Sequence, residues 1–252
     1  WNDMNEPSVF NVRSKTMPLD VVHRIEEPGF ATRRASHAEM HNVYGMLNTQ
    51  ATYEGLRRLA PDQRPFVLTR ASYAGGQRYA ATWTGDNLSS WGHLKLSLSM
   101  LVNMGLSGFA YIGADIGGFA GEHPTPELLT RWIEVGAFNP IFRDHYSYGK
   151  RAQEVWVDGA EHEAIRRHYI EERYRLMPYI YGLAEESSRS GLPMMRPVFL
   201  EYPAVLGGGD NFGGSQDQFM LGADLLVAPS PTPESMASYD IKLPGDGWFD
   251  YW

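Results

Sequence analysis

The sequence predicts an α/β fold in which helices cover both faces of a parallel sheet that is either doubly wound or closed into a barrel. Short uncharged runs typical of buried strands alternate along the chain with segments of helical periodicity. Polar residues follow several of these runs directly, as they do at the carboxyl ends of parallel strands. The 252 residues suffice for one large domain, or for one domain and part of another.

Helix caps predict where the helices begin. Ser36 and Glu39 form a capping box. The apolar residues expected on the buried face of that helix are Met40, Val43, Tyr44, Leu47 and Ala51. Thr125 followed by Pro126 begins a second helix. Its expected apolar positions are Leu128, Leu129, Trp132 and Val135.

A third helix is predicted from about Glu161 to Ser188, with a kink at Pro178. Its charged side chains are expected to form an exposed face with pairs four residues apart. These residues are Glu161, Glu163, Arg166, Arg167, Glu171, Glu172 and Arg173.

Two segments are predicted to contribute buried strands. Residues 65–69 are a short apolar run that ends at Arg70. Residues 96–114 are uncharged and long enough to cross a membrane, but Ser, Asn and Gly are spread through them. We therefore predict a buried helix that ends near Gly105 and a strand over 108–113, and no membrane segment.

The pattern changes after about Arg196. Glycine clusters at 207–209 and 213–214 indicate a loop, and short strand-like runs follow at 218–221, 225–228 and 238–243. These features predict the beginning of a separate β-rich module.

Composition excludes several classes of function. Lys and Arg number 22 and Asp and Glu number 30, so the formal net charge is −8, and there is no basic run. Nucleic-acid binding is not expected, because it requires clustered cations. The absence of Cys removes disulfides and thiolate chemistry. Glu39 lies midway between His37 and His41, unlike the glutamate of the zinc-hydrolase patterns, so no metal or cofactor is predicted.

Charged and polar residues stand at the ends of the predicted strands. They are Asp3, Arg70, Asp86, Asp115 and His145. Because the carboxyl ends of parallel strands meet at one edge of the sheet, these side chains are the candidate functional residues.

The blocks that contain these residues resemble glycoside hydrolase family 31, the α-glucosidase family. Residues 1–10, Trp-Asn-Asp-Met-Asn-Glu-Pro-Ser-Val-Phe, are similar to the family's signature segment. Further similar blocks follow in the family's order over essentially the whole chain, at 69–73, 83–87, 113–119, 131–138, 142–145, 218–229 and 243–252. Several blocks in one order are far more specific than a single short motif.

The resemblance implies strands four to eight of a (β/α)8 TIM barrel, followed by the start of a β-sandwich. We expect the partial barrel over 1–196 and the start of the sandwich over 197–252. The resemblance further implies that the family's first three barrel strands and its N-terminal domain are absent from this chain. These residues alone are therefore expected to be inactive and insoluble, since an incomplete barrel leaves sheet edges uncovered.

The resemblance also implies a retaining mechanism with two carboxylates. Asp3 matches the family's nucleophile, and Asp86 matches its general acid/base. Retention requires the two carboxyl groups to lie about 5–5.5 Å apart across the sugar. Asp86 must begin protonated, which desolvation by Trp83 and repulsion from Asp3 would favour.

Substrate-binding roles follow from the same resemblance. The matching residues are Trp1, Met4, Arg70, Trp83, Asp115, Phe119 and His145. Arg70, Asp115 and His145 would bind sugar hydroxyls. Trp1, Trp83 and Phe119 would form an apolar platform, whereas for Met4 a place in the core is favoured over contact with the ligand.

The implied function is hydrolysis of non-reducing-end α-linked glucose from maltose-like oligosaccharides. Within the family, the alternatives are an α-xylosidase, a sulfosugar hydrolase and an α-transglucosidase. Outside enzymes, the alternative is a non-catalytic sugar-binding scaffold, which would have no use for an acid facing a nucleophile. The expected partner is an α-glucoside, with no nucleic acid and no membrane.

Overall fold

The computed structural model describes residues 1–149, 152–206, 217–233 and 238–252. The chain divides into two compact units, Trp1–Trp83 and Thr84–Trp252. In each unit parallel strand pairs occur together with helices, as the α/β prediction requires. Over the described ranges, no helix is both long and apolar enough to cross a membrane.

The first unit contains one long helix and two small groups of strands. Its elements are β1 (Val22–Ile25), β2 (Arg33–Ser36), α1 (His37–Leu59), β3 (Leu68–Thr69), a 3-10 turn (Gly76–Arg78) and β4 (Ala81–Trp83). β1 and β2 form an antiparallel hairpin, and β3 and β4 are parallel. Asn2 adds a parallel bridge to Thr69 in β3. The chain before Asp3 therefore runs alongside the chain before Arg70.

The capping prediction for α1 is confirmed, whereas the predicted buried face is partly wrong. The side chain of Ser36 accepts a hydrogen bond from the amide of Glu39. The buried positions of α1 are His37, Met40, Gly45 and Thr49. Leu47 and Ala51 are exposed instead. The reason is that α1 presents polar groups and a bare glycine to the segment around Asp3, so hydrogen bonding rather than apolar area selects the inner face.

The second unit begins with a succession of strands and helices. Its elements as far as α5 are α2 (Trp91–Leu106), β5 (Ile112–Gly113), β6 (Asp115–Ile116), α3 (Pro126–Gly136), β7 (Arg143–Asp144), α4 (Ala160–Arg175) and α5 (Met177–Ser190). β6 and β7 are parallel. The caps of α2 and α3 are the side chains of Ser90 and Thr125. The helix predicted to end near Gly105 is present as α2, whereas the strand predicted over 108–113 is limited to Ile112–Gly113 in β5.

A three-stranded antiparallel sheet follows in the same unit. Its strands are β8 (Met195–Arg196), β9 (Phe219–Leu221) and β10 (Leu225–Val227), and a short helix α6 (Val198–Glu201) and a 3-10 turn (Pro203–Leu206) come after β8. The strand predicted over 238–243, a range that the structure describes in full, is wrong. There the Gln218 side chain bonds both the amide and the carbonyl of Lys242, in place of a strand ladder. The glycine loop predicted at 207–214 lies outside the described residues.

One apolar core joins α2, α3, the adjacent strands and the antiparallel sheet. Its fully buried side chains include Leu94, Leu98, Ile116, Trp132 and Phe219. The four apolar positions predicted for α3 are all buried. This core supports the loops that follow β6 and β7.

The prediction of an exposed charged face on α4 is wrong for three residues. Arg166, Glu172 and Arg173 are buried. Arg166 pairs with Asp158 at 2.7 Å and also donates to Thr130 Oγ1. Arg173 donates to backbone carbonyls around Ala137. Long side chains of this kind are buried at acceptable cost when every donor has a partner. Pro178 lies in the first turn of α5. In place of one helix kinked at Pro178, the structure therefore has two helices, α4 and α5, separated at Leu176.

Candidate active site

The first unit places Asp3 and Arg70 side by side. The amide of Asn2 donates to the carbonyl of Leu68 at 2.8 Å, and the amide of Arg70 donates to the carbonyl of Asn2 at 3.1 Å. This parallel pairing brings both following side chains to the same end of their strands. As a result, Arg70 Nε lies 3.4 Å from Asp3 Oδ1.

Glu6 holds the guanidinium of Arg70. Its two carboxylate oxygens accept from Arg70 Nε at 2.9 Å and from Nη2 at 3.1 Å. Partial burial alone would raise the pKa of Glu6, but the hydrogen bonds and charge of Arg70 lower it below its usual value. Arg70 is thus a fixed cation beside the predicted nucleophile.

A tight turn presents Asp3. Met4 has a φ of 55°, in the left-handed region, and its amide donates to Asp3 Oδ1 at 2.9 Å. This backbone conformation therefore directs an N–H group at the predicted nucleophile, while the Met4 side chain is half-buried.

The two tryptophans of the first unit differ in exposure. Trp1 is 63 % exposed and Trp83 is 5 % exposed. Their ring centroids are 6.0 Å apart with an interplanar angle of 60°, an edge-to-face arrangement. Trp1 is therefore available as a platform, and Trp83 in β4 supports it from below.

Asparagine side chains connect the Asp3 segment to α1. Asn2 Nδ2 donates to Asn48 Oδ1 at 2.6 Å and to Thr52 Oγ1 at 2.8 Å. Asn5 is buried and bonds to α1 and to the end of β3. The polar face of α1 thus fixes the backbone on both sides of Asp3.

In the second unit, Asp86 stands on a loop that is joined to the end of β6. Asp86 is exposed, and its neighbour Asn87 is buried. The side chain of Asn87 donates to the carbonyl of Asp115 at 3.0 Å and accepts from the amide of Phe119 at 3.1 Å. The loops that carry Asp86 and Phe119 are therefore held together.

The structure places Asp115 beneath the surface. Its side chain is 1 % exposed and forms an ion pair with Arg143 Nη2 at 2.5 Å. The two residues are paired in register between β6 and β7. Asp115 thus faces the adjacent strand, and Arg143 is the more accessible partner.

Phe119 and His145 stack on each other. Their ring centroids are 5.2 Å apart and their planes differ by 21°. His145 follows β7 directly, and the amide of Ser147 donates to the carbonyl of Phe119 at 3.0 Å. The second unit therefore brings four predicted site residues together, namely Asp86, Asp115, Phe119 and His145.

Sequence reasoning missed several residues that organise these groups. They are Asn2, Asn5, Glu6, Asn87, Arg143, Asp144 and Gln153. Asp144 lies between Arg143 and His145, and desolvation followed by the charge of Glu154 raises its pKa to about 7. Six of the seven are within two residues of a predicted site residue within the quoted blocks, which is the signal that could have found them. Among the described residues, no group of three or more His, Asp or Glu is arranged to hold a metal ion.

Two family models match the chain in sequence. Residues 1–183 match the glycosyl hydrolases family 31 TIM-barrel domain, and residues 191–252 match the glycosyl hydrolase family 31 C-terminal domain. The order of the two domains is the one expected from the sequence.

Relatives and solved structures agree with these matches. Alpha-glucosidase 2 of Bacillus thermoamyloliquefaciens is 47 % identical over 253 residues, which cover 100 % of this chain and 30 % of that protein. A probable glucan 1,3-alpha-glucosidase of Oryza sativa subsp. japonica is 45 % identical, over 99 % of this chain and 26 % of its own length.

Among solved structures, a glucosidase II alpha subunit bound to DNJ superposes with a TM-score of 0.82 at 38 % identity, over 93 % of this chain and 24 % of that one. A family 31 dextranase of Flavobacterium johnsoniae, complexed with glucose, superposes with a TM-score of 0.81 at 34 % identity, over 92 % of this chain and 28 % of that one. The chain thus spans less than a third of the length of each of these proteins. It belongs to glycosyl hydrolase family 31 and comprises TIM-barrel sequence followed by C-terminal-domain sequence.

Proposed function

We propose that this chain carries the catalytic pair of a retaining α-glucosidase that releases non-reducing-end α-linked glucose from oligosaccharides. The observation that carries the proposal is what surrounds Asp3, a residue of the segment that is similar to the family signature. A backbone amide bonds its carboxylate, and Arg70 lies 3.4 Å away. A hydrogen-bond donor and a cation thus lie beside the carboxylate that is proposed to attack. The relatives named as alpha-glucosidases support the substrate class.

In the proposed first step, the Asp3 carboxylate attacks the anomeric carbon and forms a glycosyl ester. The bond to the leaving oxygen breaks at the same time, and that oxygen takes the proton of Asp86. In the second step, Asp86 removes a proton from water, and the water oxygen attacks the anomeric carbon and releases Asp3. Two inversions leave glucose with its original α configuration.

The remaining side chains are proposed to bind the glucose unit. His145 and Arg70 offer hydrogen bonds to hydroxyl groups, and Asp115 acts from beneath through its ion pair with Arg143. Trp1 and the Phe119 ring supply apolar surfaces, with Trp83 and Met4 supporting them. No metal or cofactor enters the proposal.

Substitution of each aspartate tests the proposal. In the full-length protein, Asp3→Ala and Asp86→Ala are each expected to lower kcat on maltose at least about a thousandfold. Azide separates the roles, because it attacks the substrate in place of Asp3 in the first variant and attacks the glycosyl ester in place of water, without needing a base, in the second. Asp3→Ala with azide should yield β-glucosyl azide, whereas Asp86→Ala should yield the α anomer. Asp62→Ala, at an exposed aspartate of the first unit, is the matched control. Hydrolysis near the wild-type rate in either variant would refute that assignment.

The sugar specificity is tested with two chromogenic substrates. 4-Nitrophenyl α-glucoside should be turned over much faster than the α-xyloside. Dominant turnover of the xyloside would make the protein an α-xylosidase, and transfer of glucose to maltose rather than to water would make it a transglucosidase. Sugar binding without turnover would indicate a non-catalytic scaffold.

We further propose that activity requires the longer protein implied by the relatives, with barrel sequence over 1–196 and sandwich sequence over 197–252. Residues 1–252 produced alone are expected to show no hydrolysis of maltose. A soluble and active 252-residue chain would contradict this expectation.

A further inference from the structure

We propose that Asn5 and Asn87 are positioning residues, each of which fixes one catalytic aspartate by joining its loop to the adjacent strand-end loop. The inference rests on the proposed roles of Asp3 and Asp86. It concerns two side chains that are not themselves placed against the substrate.

Asn5 joins three segments of the first unit. Its Nδ2 donates to Thr69 Oγ1 at 2.9 Å and to the carbonyl of Gly45 at 3.2 Å, and its Oδ1 accepts from the amide of Ala71 at 3.1 Å. These bonds connect the turn that holds Asp3 to α1 and to both sides of Arg70. The side chain is only 8 % exposed, so water cannot readily replace the bonds.

The close approach at Gly45 is a separate sign that this junction is tightly built. A Cβ atom at Gly45 would lie 2.6 Å from the Cβ of Ala71 and 3.0 Å from the carbonyl oxygen of Asn5. Only a residue without a side chain allows α1 to come this near. The helix thus presents a bare carbonyl to the Asn5 amide.

Asn87 has the same arrangement in the second unit. Its Nδ2 donates to the carbonyl of Asp115 at 3.0 Å, and its Oδ1 accepts from the amide of Phe119 at 3.1 Å. Its backbone carbonyl accepts from the amides of Phe119 and Ala120, both at 2.9 Å. Asn87 is also 8 % exposed. The residue directly after Asp86 is thereby fixed at both its backbone and its side chain.

The chemistry of the amide explains why asparagine stands at both places. Each junction requires a donor toward a backbone carbonyl and an acceptor for a backbone amide, and a carboxamide supplies both on one short side chain. An ionised aspartate would set an oxygen against the carbonyl, and alanine would remove both of these side-chain bonds from the junction. A catalytic group misplaced by about 1 Å can lose about a hundredfold in rate.

The leaving group of the substrate tests the two roles separately. The departing sugar oxygen of maltose needs a proton from the acid. The fluoride ion of α-glucosyl fluoride leaves with little acid assistance. In the full-length protein, Asn5→Ala is expected to lower kcat/KM about a hundredfold for both substrates, because nucleophilic attack is needed in each case. Asn87→Ala is expected to lower kcat/KM about a hundredfold for maltose and less than about tenfold for the fluoride. A general loss of folding in Asn87→Ala would instead lower kcat/KM equally for the two substrates.

Exposed asparagines provide matched controls. Asn42→Ala on α1 and Asn103→Ala on α2 should leave both kcat/KM values within about twofold of wild type; Asn103 donates to a backbone carbonyl as the proposed residues do, but in an exposed position. If an alanine variant does not fold, the serine variant takes its place. A serine variant that also fails to fold, or that retains near-wild-type kcat/KM, would overturn the inference for that residue.

The result also separates this inference from the proposed function. If Asp3→Ala or Asp86→Ala remains active, the proposed function fails. If both are inactive while Asn5→Ala and Asn87→Ala hydrolyse maltose normally, only the positioning roles fail. Equal losses for maltose and fluoride in Asn87→Ala would likewise refute its link to acid catalysis.

Discussion

Glu6 and Arg70 form a two-bond ion pair next to Asp3, with Nε and Nη2 of the guanidinium each donating to one carboxylate oxygen. This geometry fixes both the position and the plane of the cation. Arg70 Nε therefore lies 3.4 Å from Asp3 Oδ1, while the two-bond ion pair of the guanidinium is with Glu6.

Loss of the Glu6 charge should reduce catalysis. Glu6→Gln keeps the shape of the side chain but weakens its charge-assisted bonds to Arg70. A loss of about 1.5–2 kcal/mol in transition-state stabilisation corresponds to a kcat/KM about ten- to thirtyfold lower. Steady-state kinetics with 4-nitrophenyl α-glucoside measure the effect. Glu39→Gln, at the exposed pair with Arg33, is the control and should have no effect. Unchanged kinetics in Glu6→Gln would show that Arg70 needs no partner.

The buried His37 should make the first unit sensitive to acid. His37 is fully buried, and its ring nitrogens contact His23 Nε2 and His41 Nδ1, each at 3.1 Å. Burial, followed by charge on His41 and His23, lowers the pKa of His37. The folded state therefore disfavours the protonated ring, which the unfolded chain accepts below about pH 6.5. Stability should be complete above that pH and decline as the pH falls toward the lowered pKa.

The thermal unfolding midpoint of the full-length protein, measured between pH 7.5 and 5.5, checks this expectation. The midpoint should fall less steeply with decreasing pH in His37→Gln than in the wild type. His123→Gln, at an exposed histidine, is the control and should follow the wild-type curve. Parallel curves for His37→Gln and wild type would contradict the prediction.

The buried pair of Arg166 and Asp158 should be important for stability. Both side chains are almost completely inaccessible, and Arg166 also donates to the carbonyl of Val157 at 2.7 Å. Asp158→Asn leaves a buried cation without its counter-charge and should cost about 3–5 kcal/mol in the free energy of unfolding. Chemical denaturation measures the cost. Glu185→Gln breaks the exposed pair with Arg189 and should change stability by less than about 1 kcal/mol.

Gly118 should not tolerate a side chain. It has a φ of 86°, and a Cβ atom there would lie 2.4 Å from the amide nitrogen of Ser89. Gly118→Ala should therefore separate the loop after Asp86 from the loop before Phe119 and reduce kcat on maltose at least about tenfold.

Gly191→Ala separates backbone strain from the steric clash at Gly118. Gly191 has a φ of 78° with no atom near the added methyl group, so alanine there should cost only about 1–2 kcal/mol of stability without loss of kcat. Equal effects at the two glycines would indicate that strain alone matters.

Local signals in the sequence predicted the helix starts and the strand ends well. Ser36 and Thr125 cap helices because their short side chains reach amides within the next turn. The sequence was less informative about which helix face is inner. Leu47 is exposed and Thr49 is buried, because α1 packs against a hydrogen-bonding segment rather than an apolar one. For the same reason Arg166, which periodicity assigns to the surface, lies within the fold.

The sequence by itself determined the family, the succession of strands and helices, and the residues Asp3 and Asp86 as the candidates for catalysis, because these depend on short blocks read in order. Only the tertiary structure decided the partners. It showed that Arg70 is held by Glu6, that Asp115 pairs with Arg143, and that asparagines fix the loops beside the aspartates. Glu6 and Arg70 are 64 positions apart, and no local pattern specifies a contact over that distance. Such contacts exist only after parallel strands have brought their carboxyl ends to one edge.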